Sequence, residues 1–148
     1  SVKAVVQNDG VVRASDLLVY YNGFAELGAL ADEVGRRFDE PVHLMDDLAL
    51  HSDQWNFVKH GVPGYQLSTE TRDGEPMKGL DSRLVMSPYD TFEKLDKRDL
   101  RGQAVWETEL LVRLADESVS VPHRDPAAIE DQLQREGADY PDHLWPIV

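Results

Sequence analysis

The sequence has no cysteine, which excludes disulfides, thiolate zinc knuckles and cysteine nucleophiles. It has no apolar run near the roughly 18 residues that a membrane span needs. The apolar start Val2–Val6 is too short for a signal peptide. Lysine is scarce: five of the 15 bases are Lys, whereas 17 of the 28 acids are Asp. The formal net charge is −13, a field that repels a nucleic-acid backbone. The acids are spread along the chain and form no tail. An Asp-rich, Lys-poor surface predicts a protein of a high-salt cytoplasm, where self-repulsion is screened within a few ångströms. The remaining bulk is ordinary. With 148 residues, 41% hydrophobic and 29% charged, the chain is sized for one domain that buries roughly 68–70% of its unfolded surface.

Short catalytic motifs are missing too. Five histidines are present (His43, His51, His60, His123, His143), none in a His-x-x-x-His or His-Glu-x-x-His spacing. There is no Gly-rich phosphate loop and no Gly-x-Ser-x-Gly elbow. Spacing alone therefore identifies no active site.

Elements are more legible. Val2–Val6 reads as a short strand stopped by the turn Asn8-Asp9-Gly10, and Leu17–Tyr21 as a second strand broken by Asn22-Gly23. Phe24, Leu27, Leu30, Ala31, Val34 and Phe38 recur at helical spacing opposite Glu26, Asp32, Glu33, Arg36 and Arg37, which predicts an amphipathic helix over 24–38. Pro41–Met45 is a third strand. Ser52 or Asp53 can N-cap a short helix to about His60, closed by Gly61 and Pro63. Tyr65–Ser68 is a fourth strand, and 69–90 a long polar loop. Asp96 suits the N-cap of the longest helix, roughly 97–116, with apolar positions Leu100, Ala104, Leu111, Leu114 and Ala115. Residues 117–124 read as a linker, Pro126 starts a helix to about Glu136, and the end is irregular. Strands alternating with helices predict an α/β fold, a mostly parallel or mixed sheet with helices on its faces. Chemistry in such sheets gathers at the carboxyl ends of strands. Asp9, the Ser52-Asp53 turn and the loop after Leu67 are expected to converge on one edge. Asp9 reads equally as a former of its Asn-Asp-Gly turn.

Three blocks, in order, resemble one family. His51-Ser52-Asp53-Gln54-Trp55-Asn56-Phe57 followed by Gly61-Val62-Pro63 resembles the His-Ser-Asp-His-Trp-x-Phe…Gly-Val-Pro segment of co-catalytic zinc exopeptidases. These are the aminopeptidase Y and bacterial leucyl aminopeptidase type, with glutaminyl cyclases as relatives. Ser87-Pro88-Tyr89-Asp90-Thr91-Phe92-Glu93-Lys94-Leu95-Asp96 resembles the family's His-Thr-x-x-Asp-Thr-x-x-Lys-Leu-Asp block, and Val5–Gly10 its strand ending in Asn-Asp-Gly. The resemblance covers residues 2 to about 116.

The resemblance implies a partial three-layer sandwich, with 1–116 the C-terminal half of such a domain and 117–148 a linker, short helix and tail. In the family two zinc ions share a bridging aspartate, and a glutamate acts as general base. The resemblance places those groups in an N-terminal half that precedes this chain's first strand. Of the ligands it places here, Asp9 matches the family's aspartate. Met86 stands four residues before Asp90, where the family has histidine, and a thioether is a poor ligand for Zn²⁺. Gln54 and Gln66 replace two further histidines, and Asp53 keeps a position that orients groups at the site. The implied reading is a peptidase-like domain without catalysis of its own and with no zinc expected, whose crevice takes a peptide or protein partner. A second reading is one part of an active enzyme completed by the other half. A third is a structural homodimer that covers the half-sheet through Trp55, Phe57 and Tyr65.

Overall fold

The computed structural model describes residues 2–8, 16–39, 42–70 and 97–137, together with Pro88, Thr91 and Glu93. The elements are β1 (Val5–Asn8), β2 (Asp16–Tyr20), α1 (Ala25–Phe38), β3 (Val42–Met45), α2 (Trp55–Val58), β4 (Gly64–Glu70), α3 (Lys97–Ala115) and α4 (Pro126–Glu136). The fold is α/β, with a mixed four-stranded sheet in the order β1-β4-β2-β3. β1 runs parallel to β4 and β2 parallel to β3, while the central β2–β4 pair is antiparallel.

Strand alternation assigns two faces. On one, Val6, Tyr65, Leu67, Val19 and Leu17 sit side by side in register. They meet Leu27, Ala31 and Val34 of α1 and Trp106, Leu110 and Leu114 of α3 in one core. The Tyr65 hydroxyl donates to the Leu27 carbonyl, and burial pushes the phenol well above its usual range. α2 lies on the other face, because the Cβ direction of Gly64 meets Val58 and Gln54.

α1 forms as its pattern predicts. It ends where Asp39 takes the left-handed conformation and donates its N–H to Gly35, a geometry Asp tolerates. Beside it, Arg113 bridges Glu33 and Glu109, and Arg37 also meets Glu109. Exposed pairs like these add little to stability; Arg113–Glu33 and Arg37–Glu109 run between α1 and α3 beside their shared core.

α3 corrects the sequence reading. Of its expected apolar positions, Leu114 is buried, whereas Leu100, Ala104, Leu111 and Ala115 are exposed. The buried stripe is Gln103, Trp106, Leu110 and Leu114. The helix carries apolar residues on two flanks, and Trp106, the largest fully buried side chain, decides which one enters the core. α2 is also shorter than expected. Its N-cap position is Gln54, and no side chain caps it.

Residues 117–137 join the same core through Val121 and Ile129. Arg124 donates its N–H to the Gly61 carbonyl, so closely that a Cβ on Gly61 would collide with the Arg124 carbonyl. Its guanidinium reaches Gln132 and the Asn22 carbonyl over the Phe24 ring. α4 begins on Asp125, whose carboxylate accepts from Ala127, with Pro126 in the first turn, and ends at left-handed Gly137.

Truncating Trp106→Ala is expected to cost about 3–5 kcal/mol, and Asp125→Ala, which removes one cap bond, about 1 kcal/mol. Urea unfolding at fixed salt measures both. A Trp106→Ala loss below about 1 kcal/mol would contradict the assigned facing of α3.

Candidate functional site

Of the expected convergence of Asp9, the Ser52-Asp53 turn and the loop after Leu67 on one edge, the sheet brings β1 and β4 to a common carboxyl end but sets the Ser52-Asp53 turn at the other. Because β2 and β4 are antiparallel, the carboxyl ends of β1 and β4 lie at one end of the sheet and those of β2 and β3 at the other. The Ser52-Asp53 turn leads into α2 beside Gly64, the start of β4. Asn8, paired with Leu67, lies toward the opposite end. Asp9 and Met86 lie outside the described residues.

What gathers at the start of β4 is a chain of amides. Tyr20 ends β2, and Asn22 and Gly23 follow with positive φ of 52° and 75°, closed by a bond from the Phe24 N–H to the Tyr21 carbonyl. This is an Asn-Gly turn that launches a helix rather than a hairpin. Asn22 is fully buried. Its Nδ2 donates to the Gly64 carbonyl at 2.9 Å, and its Oδ1 accepts from the Ala49 N–H at 2.8 Å. The Ala49 carbonyl in turn accepts from Gln54 Nε2 at 2.6 Å, and the same Nε2 lies 3.3 Å from Gln66 Oε1. Gln54 is fully buried, and its own Oε1 has no partner among the described residues.

Of the predicted site residues, the structure thus brings Gln54 and Gln66 together. It leaves Asp53 exposed, its backbone carbonyl accepting from Asn56 and its carboxylate without a partner among the described residues. Gln66 is half-buried in a row that crosses the sheet: Gln7 of β1 and Tyr20 of β2 are its register partners on the same face. Acids stand nearby. Burial first, then the Asp46 and Asp47 carboxylates, push the Tyr21 phenol up. Trp55 and Tyr65, expected at a dimer surface, are core instead, while Phe57 is exposed.

The sequence reading missed the role of Asn22, treating it as a strand breaker. Its signal was the Asn-Gly pair, which marks a turn but not the carbonyl 42 residues away that the side chain seeks.

These side chains do not suit zinc. Zn²⁺ takes imidazole, carboxylate or thiolate, and the junction presents neutral amides. Among the described residues, no three His, Asp or Glu side chains gather where a metal ion could be held. No described helix is long and apolar enough to cross a membrane. Compared with protein-family models, with curated proteins and with solved structures, the chain matches none.

Asn22→Gly keeps the left-handed backbone but leaves the Ala49 N–H and the Gly64 carbonyl without their partner. At about 1–3 kcal/mol for each buried unpaired group, the expected loss is about 2–4 kcal/mol. Asn22→Ala adds the strain of a left-handed alanine, about 1 kcal/mol more. Denaturant unfolding of the two variants separates the bonds from the strain, and equal losses would contradict the strain component.

Proposed function

We propose that the chain is a peptidase-like domain that binds polypeptide without hydrolysing it, with Gln66 as the contact residue. The carrying observation is the meeting of Gln54 and Gln66, 12 residues apart in sequence, at the start of β4. These are the positions at which the resemblance to zinc exopeptidases places histidines, and a shared site is what that resemblance requires of them. A glutamine amide suits a neutral peptide group, whose carbonyl can accept from its Nε2. Gln54 spends its Nε2 on the Ala49 carbonyl and on Gln66 Oε1. That holds the Gln66 side chain in one orientation with its Nε2 left to donate outward. Gln7 and Tyr20 flank it on the neighbouring strands and extend the polar row. The net charge of −13 favours a ligand with a free amino terminus or a basic side chain.

Two measurements test this. A short peptide with a free amino terminus is expected to shift the side-chain amide resonances of Gln54 and Gln66. Gln66→Ala is expected to weaken binding about tenfold, the equivalent of about 1.4 kcal/mol. Unchanged resonances at millimolar peptide would remove the reading. Incubated with Zn²⁺ and aminoacyl-nitroanilides, the chain is expected to release no nitroaniline. Zinc-dependent release would replace binding with catalysis.

A further inference from the structure

The flank of α3 left outside the core is apolar along its length. Leu100, Val105, Leu111 and Val112 are 41%, 54%, 46% and 61% exposed, with exposed Ala104, Thr108 and Ala115 between them. At 100° per residue these positions fall on one side of the helix. That side is turned away from α1, which takes the Glu109 and Arg113 flank. It lies toward β1, an edge strand, since Asn8 donates to Glu107 and Lys3 to the Asp116 carbonyl. A solvent-facing helix normally shows charge at such positions. In a chain with 29% charged residues and net charge −13, an apolar strip here is a surface that another body covers.

Charge says which body. The strip begins at Leu100 and Arg101, just after Lys97, Arg98 and Asp99, and ends at Asp116 and Glu117, where Lys3 also lies. In α3 and its exit, bases outnumber acids at the first end and acids outnumber bases at the second. A second α3 laid antiparallel on the first brings unlike ends together at both ends of the contact, whereas a parallel copy sets like against like.

We propose that this flank of α3 is the interface of a symmetric dimer, in which the helices of two copies cross antiparallel near Thr108. The two-fold axis then pairs Val105 with Leu111 and Ala104 with Val112, large against large at the centre and small against larger beside it. It sets Arg101 opposite Ala115 and within reach of the second copy's acidic end at Asp116 and Glu117. Such a contact is isologous and closed, so assembly stops at two copies. Ala104 and Thr108 near the axis permit the 8–10 Å approach of packed helices. The net charge of each copy opposes association at long range, and salt screens that repulsion while leaving the apolar contact intact. The dimer is therefore tighter in molar salt. None of this depends on peptide binding at Gln66.

Sedimentation velocity of the full chain, in dilute and in molar KCl, tests the proposal. A dimer in molar KCl is expected, with Leu111→Glu giving a monomer whose circular dichroism is unchanged. At the lowest salt at which the dimer forms, Arg101→Glu and Glu117→Arg are each expected to weaken it about fivefold or more, and the double exchange to restore it to within about twofold; molar KCl is expected to shrink these effects. A monomer at every salt and concentration would overturn the proposal. So would a dimer indifferent to Leu111→Glu, which would place the interface elsewhere. Failure of the double exchange to restore association would overturn the antiparallel arrangement. Peptide binding by the monomeric Leu111→Glu variant keeps the failure of this proposal distinct from failure of the binding site.

Discussion

The Asn22 amide ties together three segments that strand pairing brings to one end of the sheet. It sits in the turn that ends β2, holds the first carbonyl of β4 and holds the N–H of Ala49 in the loop after β3. Through Ala49 it also fixes Gln54, and through Gln54 it fixes Gln66. The antiparallel β2–β4 pair makes this arrangement necessary. With those strands opposed, the turn after β2, the loop after β3 and the start of β4 share one end of the sheet. Their buried backbone groups lie beyond the sheet ladders and need partners. A short amide side chain with both a donor and an acceptor meets that need. Arg124 closes the assembly by donating its guanidinium to the Asn22 carbonyl and its backbone N–H to the Gly61 carbonyl.

The same junction shows what an amide side chain can and cannot do at such a position. A histidine can bind metal or carry a proton, whereas glutamine can do neither and still fill the space and orient a neighbour. Gln54 does the latter. Its buried Oε1, left without a partner among the described residues, costs about 1–3 kcal/mol relative to a satisfied group. Such a cost persists where the residue serves an arrangement rather than the core alone. The acids around the junction, and the −13 charge of the chain, set a field that draws cationic ligands and repels anionic ones.

How much of this the sequence disclosed depends on the range of the interaction. α1 was legible because Leu27, Ala31 and Val34 repeat at helical spacing with charges opposite. α4 was legible because Asp125, Pro126 and Gly137 punctuate both ends. The strands were legible as apolar runs. Their order was not, since pairing partners such as Val19 and Leu67 lie far apart in sequence and leave no local mark. The facing of α3 was misread because two of its flanks are apolar, and only the packing of Trp106 separates core from surface. Gln54 and Gln66 were both singled out from the family-like blocks. That they touch is a consequence of α2 packing on the start of β4, which no spacing rule contains. Asp9 and Met86 were singled out on the same ground, and the described residues do not include them.

The central claim is that amide recognition stands at this end of the sheet in place of metal chemistry. The most direct test is a calorimetric titration of the full chain with Zn²⁺ in molar potassium chloride, with Gln66→Ala as the control. The account predicts no saturable heat in either protein. Stoichiometric binding at micromolar or tighter affinity that disappears in Gln66→Ala would contradict it.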